Sequence, residues 1–249
     1  MEILLAEPEK FNEFIMCLFN RGLGDIEYDY CNDQNFYYQI TNKSFNINNM
    51  SIFSNDSCYF EKAVKSDPNI NMIALISTEK DLDPIDFDSK WKKSIRKQFM
   101  KSKESFAPPL DFTLLNKNHK QIIEKSESIK VKDNYELAIE YDDECYGIIY
   151  NDELVSFLSI SKIDNEQIKL AEINWIFTEP KYRKQGYAAK LLQNVSNLLL
   201  QKHYLISYHC VSSNIASAKT AFKSGMKEVI DEIIYERPAN KSQVEISDF

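Results

Sequence analysis

The stretch that most constrains this chain is LAEINWIFTEPKYRKQGYAAKLL, residues 170–192, which reads as a buried strand, a turn, a short loop and an amphipathic helix. Successive strand side chains alternate, so Ile173, Trp175 and Phe177 are expected on one side and Glu172, Asn174, Ile176 and Thr178 on the other. Pro180 sets the turn, and Arg183, Lys184, Gln185, Gly186, Tyr187 and Ala188 lead into a helix whose Leu191, Leu192, Val195, Leu198 and Leu199 recur at helical spacing. The loop therefore opens a helix, where backbone N–H groups have no intrahelical acceptor and the dipole adds partial positive charge, a ready site for phosphate. Gly186 admits an anion close to the backbone, and Ala188 is the next smallest choice. The loop lacks the Lys-Ser/Thr ending of a P-loop and has one glycine where the dinucleotide fingerprint has three.

A chain of 249 residues is long enough for one large or two modest domains, and 43% hydrophobic with 12% aromatic residues is a globular composition. The formal charge is −8 with no long basic run, so the electrostatic footprint of a nucleic-acid binder is missing and no nucleic-acid partner is expected. Cys17, Cys31, Cys58, Cys145 and Cys210 are widely spaced, and only His119, His203 and His209 could join them, so neither a disulfide framework nor a metal site is expected. His209 and Cys210 are neighbours on a strand and point to opposite faces, which argues against a nucleophile–base pair and leaves Cys210 as a small core residue. The acidic N-terminus is unlike a signal peptide and no apolar run approaches the length of a membrane span, so the expectation is a cytoplasmic protein without membrane contact.

Along the chain, Phe11, Phe14, Ile15, Leu18 and Phe19 predict a first helix ended near Gly22 and Gly24. FYYQI and SIFSN alternate like half-buried strands, NMIALIS reads as a buried strand, and WKKSIRKQFMKSKE reads as a basic amphipathic helix. Pro108–Pro109 marks a domain boundary, giving an N-terminal α+β domain over 1–107, a second domain over 108–238 and a polar tail over 239–249. From Leu110 the order is regular: a helix in HKQIIEKSESI, a hairpin of ECYGIIY and ELVSFLSIS about Asn151-Asp152, the strand–loop–helix above, a strand YLISYHCV, a helix ended at Gly225, and a last strand VIDEIIYER.

The loop resembles the acyl-CoA loop of the GNAT superfamily of N-acyltransferases, Arg/Gln-x-x-Gly-x-Gly/Ala, with Arg183, Gly186 and Ala188 as the matching residues. A second motif lies at the right separation: where that family opens its last helix with Asn, follows it with Ala or Ser three places on and ends it with Gly-Phe, this chain has Asn214, Ser217, Gly225 and Met226. The resemblance covers roughly residues 110–237, and the wording YHCVSSNIAS is most similar to the zwittermicin-resistance type of GNAT acetyltransferase, which also has a long N-terminal half. It implies an α/β (α+β) fold, a central mixed sheet flanked by helices, with the N-terminal domain as an addition that is either a wall of the acceptor site or a degenerate second copy of the fold.

What the resemblance implies chemically is transfer of an acetyl group from acetyl-CoA to a primary amine of a small molecule or peptide by direct attack. Arg183 to Ala188 would hold the diphosphate, the backbone of Phe177 and Thr178 would pair with the pantetheine arm, and Asn214 would contact that arm or simply cap its helix. Amines are mostly protonated near neutral pH, so a base is needed; Glu172, fourteen residues before Gly186 in an Ala-Glu-Ile phrase like that of histone-acetylating relatives, is the candidate, and pairing with a Lys is its structural alternative. A backbone N–H on the central strand would serve the carbonyl oxygen. The tyrosine that many relatives place seven residues after the Asn is Ala221 here, so the acid for the leaving thiolate is open among Ser217, Tyr208 and Tyr187, with Ser217 the candidate. Asp142, Asp143 and Glu144 either attract an ammonium group or form a solvated turn. A non-catalytic acyl-CoA-binding module and a regulatory or interaction protein with a vestigial fold are the other readings.

Overall fold

The computed structural model describes residues 25–32, 35–42, 47–54, 57–66, 70–76, 91–141, 143–164 and 169–237. The expected helix over 11–19, Asp142 and the C-terminal tail lie outside the described residues. The rest falls into two compact units. One takes the residues up to Lys97 with Val211–Ser213 and those from Ile230 onward, and the other takes Gln98–Cys210 with Asn214–Val229.

In the first unit, strands β1 (Asp25–Asn32), β2 (Asn35–Asn42) and β3 (Ile47–Phe53) form an antiparallel meander. A helix, α1 (Ser57–Ser66), then crosses over to β4 (Met72–Ile76), which lies parallel to β3 with Met50 opposite Ile73. The run MIALI has no polar residue because β4 is an inner strand, with residues 232–236 of the chain antiparallel on its other edge. Met50, Ile52, Phe60, Ile70, Ile73, Leu75 and Tyr235 make its core.

The second unit begins inside β5 (Lys92–Lys101) and continues through β6 (Thr113–Leu115), α2 (Lys120–Glu124), α3 (Ile129–Tyr141), β7 (Glu144–Tyr150), β8 (Glu153–Asp164), β9 (Lys169–Thr178), α4 (Tyr187–Gln201), β10 (Leu205–Val211), α5 (Ile215–Lys223) and the start of β11 (Lys227–Glu236). Its strands lie in the order β5-β10-β9-β8-β7-β6. The pairs β6–β7, β7–β8 and β8–β9 are antiparallel and β9–β10 is parallel, so the sheet is mixed as expected. Asn151 and Asp152 turn the β7–β8 hairpin with φ of 50° and 59°, both left-handed as a two-residue turn of this kind requires.

Helices cover both faces. On one, α4 and α5 bring Leu191, Leu192, Val195, Leu199 and Ala221 against Phe99, Ile160, Ile173, Ile206, Tyr208 and Cys210. On the other, α2 and α3 bring Ile123, Val131, Tyr135 and Ala138 against Leu115, Cys145, Leu154 and Phe157. Cys210 is a core residue, as its size and strand position suggest.

The structure corrects three readings. WKKSIRKQFMKSKE is a strand over Lys92–Lys101, not a helix: Lys-rich sequence has good helix propensity, but residues 98–101 are all buried, with Phe99 edge-on to Phe222, and tertiary packing overrides the local preference. Helix α3 was not anticipated; only Val131, Tyr135 and Ala138 of its residues are buried, too thin a stripe to stand out among its charges. The third correction concerns β9. Strict alternation fails there because the register against β8 shifts between Ser159 and Ile160, leaving Asn174 as a bulged residue between the pairs Ile160–Ile173 and Ser159–Trp175. The bulge puts Ile173 and Ile176 on the α4–α5 face and Trp175 and Phe177 on the α2–α3 face.

Candidate active site

The loop between β9 and α4 has the geometry of an anion cradle. Gly186 is the N-cap of α4 at φ 81°, ψ 9°, and offers no side-chain cap. The first intrahelical bond runs from Lys190 N–H to the Gly186 carbonyl (3.0 Å), so the N–H groups of Tyr187, Ala188 and Ala189 precede the hydrogen-bonded ladder. Lys184 also has a positive φ, 64°, which bends the loop sharply just before the helix. A Cβ on Gly186 would meet nothing nearer than Lys190 Cε at 4.0 Å, so glycine is needed there for its backbone conformation, and the space beside it is open. Arg183, Lys184 and Gln185 are exposed, while Tyr187 and Ala188 are half-buried. The Arg183 guanidinium lies over the Phe177 ring (5.4 Å), and its Nε donates to the Thr178 carbonyl (3.0 Å).

Immediately before this loop the sheet divides. β9 and β10 pair over only Leu170–Ile173 and Leu205–Tyr208; beyond Ile173 and Tyr208 no further pairs join them. Asn174, the bulged residue, is thus the first β9 residue past the pairing, and the bulge leaves its backbone outside the β8 ladder. Farther along, the Glu179 N–H bond to the Val155 carbonyl (3.0 Å) fixes the phase of the β8–β9 ladder. Alternation then turns the backbone groups of Phe177 towards β8 and those of Ile176 and Thr178 towards the open edge. The Phe177 carbonyl also accepts from Ser156 Oγ (2.8 Å).

Glu172 sits two residues before the bulge, with its side chain 11% exposed. Its parallel register partner is Ser207, whose fully buried hydroxyl has no hydrogen-bond partner among the described residues. The alternative of a Lys partner does not hold. Glu172 Oε1 instead lies 2.9 Å from Nδ1 of His209, whose side chain is 31% exposed. Because Ile206, Tyr208 and Cys210 face α4 and α5, Ser207 and His209 face the other way, with Glu172. Beside them, Asn174 Nδ2 donates to Ser161 Oγ (2.7 Å), which donates to Asp143 Oδ2 (2.8 Å).

Ser217 lies on the opposite face. It is half-buried in the first turn of α5, and its N–H donates to Asn214 Oδ1 (3.1 Å), so Asn214 does cap the helix. On that face too is the phenol of Tyr208, which is buried at 5% exposure. Burial pushes that phenol up to about 12, with the Ser217 side chain opposing the rise, so Tyr208 stays protonated throughout the neutral range. Ala221 is fully buried in the core. Glu172 and Ser217 are therefore not side by side, but flank the divided sheet from its two faces. Of the acidic run, Glu144 pairs with Lys162 (2.6 Å) and accepts from the Tyr146 hydroxyl (2.8 Å), which holds its carboxyl below the usual range against the opposing effect of burial.

His209 and the Asn174 bulge are the site features that sequence reasoning missed. Only the register of two strands joined by a helical crossover shows that residues 172 and 209 meet. A weak trace of the bulge exists in the sequence, since Ile173 and Ile176 are three residues apart. Among the described residues no group of three or more His, Cys, Asp or Glu could hold a metal ion, and no helix is long and apolar enough to cross a membrane.

No curated protein matches this sequence. Solved structures do match its fold. A GNAT-family acetyltransferase from Colwellia psychrerythraea aligns over 95% of this chain and 97% of its own at 12% identity, with a TM-score of 0.59. A Drosophila protein aligns over 96% and 89% at 11% identity and 0.58, and a GCN5-related N-acetyltransferase from Kribbella flavida over 83% and 88% at 9% identity and 0.54. At such identities these likenesses establish the fold alone. The sequence profile of the Acetyltransferase (GNAT) family matches residues 112–226, a span that includes the strand, the loop, the divided sheet and the Asn214 helix. The chain therefore carries a domain of the GNAT acetyltransferase family.

Proposed function

We propose that this chain is an N-acetyltransferase that moves an acetyl group from acetyl-CoA to a primary amine of a small molecule or peptide, with the chemistry carried by residues 108–238. The observation that carries the reading is the junction of two features: an uncapped helix N-terminus with Gly186 at φ 81°, and a sheet that parts beside it with a carboxylate on the lip. Residues 183–188 would hold the diphosphate through the N–H groups at the start of α4. The outward backbone groups of Ile176 and Thr178, on either side of Phe177, suit an extended arm carrying amides of its own.

Acetyl-CoA supplies an activated thioester; the remaining work falls to this chain's residues. A group at Glu172 takes the proton that an ammonium must lose before its lone pair can attack. The unpaired backbone at Asn174 can donate to the carbonyl oxygen as charge builds there. Tyr208, held protonated by burial, would neutralise a departing thiolate from the α4–α5 face, with Ser217 on the same face. Donor and acceptor would thus enter from opposite faces of the divided sheet.

The first unit supports the degenerate-copy reading of the N-terminal domain. Its meander, crossover helix and parallel strand repeat the order β7-β8-β9, α4, β10. The sequence between β3 and α1, Ser-Asn-Asp, has no glycine, unlike the Gly186 loop of the second unit. A binder without turnover is the second reading, favoured by Ala221 in place of the family's tyrosine. Thermal unfolding with acetyl-CoA and free CoA, followed by thiol release with aminoglycoside, polyamine, amino-acid and peptide acceptors, separates the two. Stabilisation with thiol release from at least one amine is expected. Stabilisation without release supports the binder, and no stabilisation refutes both.

A further inference from the structure

We infer that the base of this site is the His209 imidazole, with Glu172 as the residue that positions it, an assignment that rests on the acetyltransferase reading above. The sequence points to Glu172 alone, but the carboxylate is nearly enclosed and its Oε1 is engaged by His209 Nδ1 at 2.9 Å. The imidazole is the more open of the two, at 31% exposure against 11%. It belongs to the first β10 residue beyond the last paired one, Tyr208, and so stands at the lip where the strands part, opposite the bulge at Asn174. Ser207, the register partner of Glu172, is a hydroxyl and cannot replace the imidazole as a base.

A carboxylate accepts and does not donate, so its contact with Nδ1 fixes the proton on that nitrogen and leaves the Nε2 lone pair of neutral His209 free. Nε2 takes one proton from the acceptor ammonium, breaking that N–H bond, and the Glu172 carboxylate stabilises the imidazolium without itself being protonated. The freed lone pair forms the C–N bond to the acetyl carbon, and sulfur leaves with the C–S electron pair. Sulfur is neutralised by the Tyr208 proton, which the second proton lost by the attacking nitrogen replaces, and the imidazolium returns its proton to water, so each turnover yields one amide, one thiol and one proton.

Two measurements on the full chain test this. Thiol release with an acceptor found in the amine panel should fall about 10²-fold or more in His209→Ala and recover in part, in proportion to added imidazole, while acetyl-CoA affinity stays within about twofold. Glu172→Gln should also lose turnover, without rescue by imidazole, because the ring is present but no longer held in one tautomer. Independently of activity, nitrogen NMR of the His209 ring at alkaline pH should show Nδ1 protonated and Nε2 bare, with that preference lost in Glu172→Gln. Turnover within about threefold of wild type in His209→Ala, absence of imidazole rescue, or an Nε2-protonated ring overturns the assignment. A wild type that binds acetyl-CoA yet releases no thiol with any amine overturns the acetyltransferase reading and this role with it, an outcome distinct from turnover that survives the loss of His209.

Discussion

Replacing Gly186 with alanine is the most direct perturbation of the proposed cradle. Its φ of 81° lies in the left-handed region, where an L-residue with a Cβ costs about 1–2 kcal/mol. Alanine returns about 0.4–1 kcal/mol by restricting the unfolded chain, so the net loss of stability is about 1 kcal/mol, or about 2–4 °C in Tm for a chain of this size. No side-chain clash adds to this, because the nearest atom to the new Cβ is Lys190 Cε at 4.0 Å. The effect on binding should be larger. Relaxing to a negative φ rotates the peptide that leads into α4 and turns N–H groups away from a diphosphate. A hydrogen bond to a charged group contributes about 1.5–3 kcal/mol, so losing one weakens acetyl-CoA about 10- to 100-fold. Titration calorimetry with acetyl-CoA, beside Gly186→Asn as a variant that tolerates the left-handed region, is the assay. If Gly186→Ala is destabilised as expected yet binds acetyl-CoA within twofold of wild type, the N–H groups of this loop do not hold the diphosphate.

Four further outcomes are expected. Burial holds the Lys101 ammonium down to about 8 against its ordinary 10.5, with Glu104 opposing, so between those values the unfolded chain keeps a proton that the folded chain has lost. The contribution of Lys101 to stability therefore rises with pH across that window, and denaturant titrations should show Lys101→Met with a flatter pH dependence than wild type. Asn214→Ala should cost about 1 kcal/mol by removing the 3.1 Å cap on Ser217 N–H, and Asn214→Ser should restore most of it in thermal unfolding. Tyr208→Phe should lower turnover by about tenfold, less than the roughly 10²- to 10⁴-fold of full acid catalysis, because a thiolate is a fair leaving group; an unchanged rate removes Tyr208 as the donor. Calorimetry should find one acetyl-CoA per chain, since the sequence between β3 and α1 has no glycine to match Gly186, and a second site would contradict that.

The local features were legible because each depends on a few adjacent residues. Gly186 and the leucines after it declare a loop feeding a helix, Asn151-Asp152 declares a hairpin, and Gly225 at φ 86° ends α5 where the sequence places the stop. The strand Lys92–Lys101 was not legible, since its lysines suit a helix and only burial of Gln98, Phe99, Met100 and Lys101 decides otherwise. The face of each β9 residue was not legible either, because one unpaired residue at Asn174 reverses the alternation beyond it.

Local order along the chain is enough to specify a glycine-opened helix after a buried strand, which makes an anion site available, because caps, turns and helix ends are set by short-range backbone sterics and hydrogen bonding. The tertiary structure alone decided what Glu172 touches. Residues 172 and 209 are joined by a crossover helix and meet only through the parallel register of β9 and β10, and that register is set by packing of the helices on both faces of the sheet.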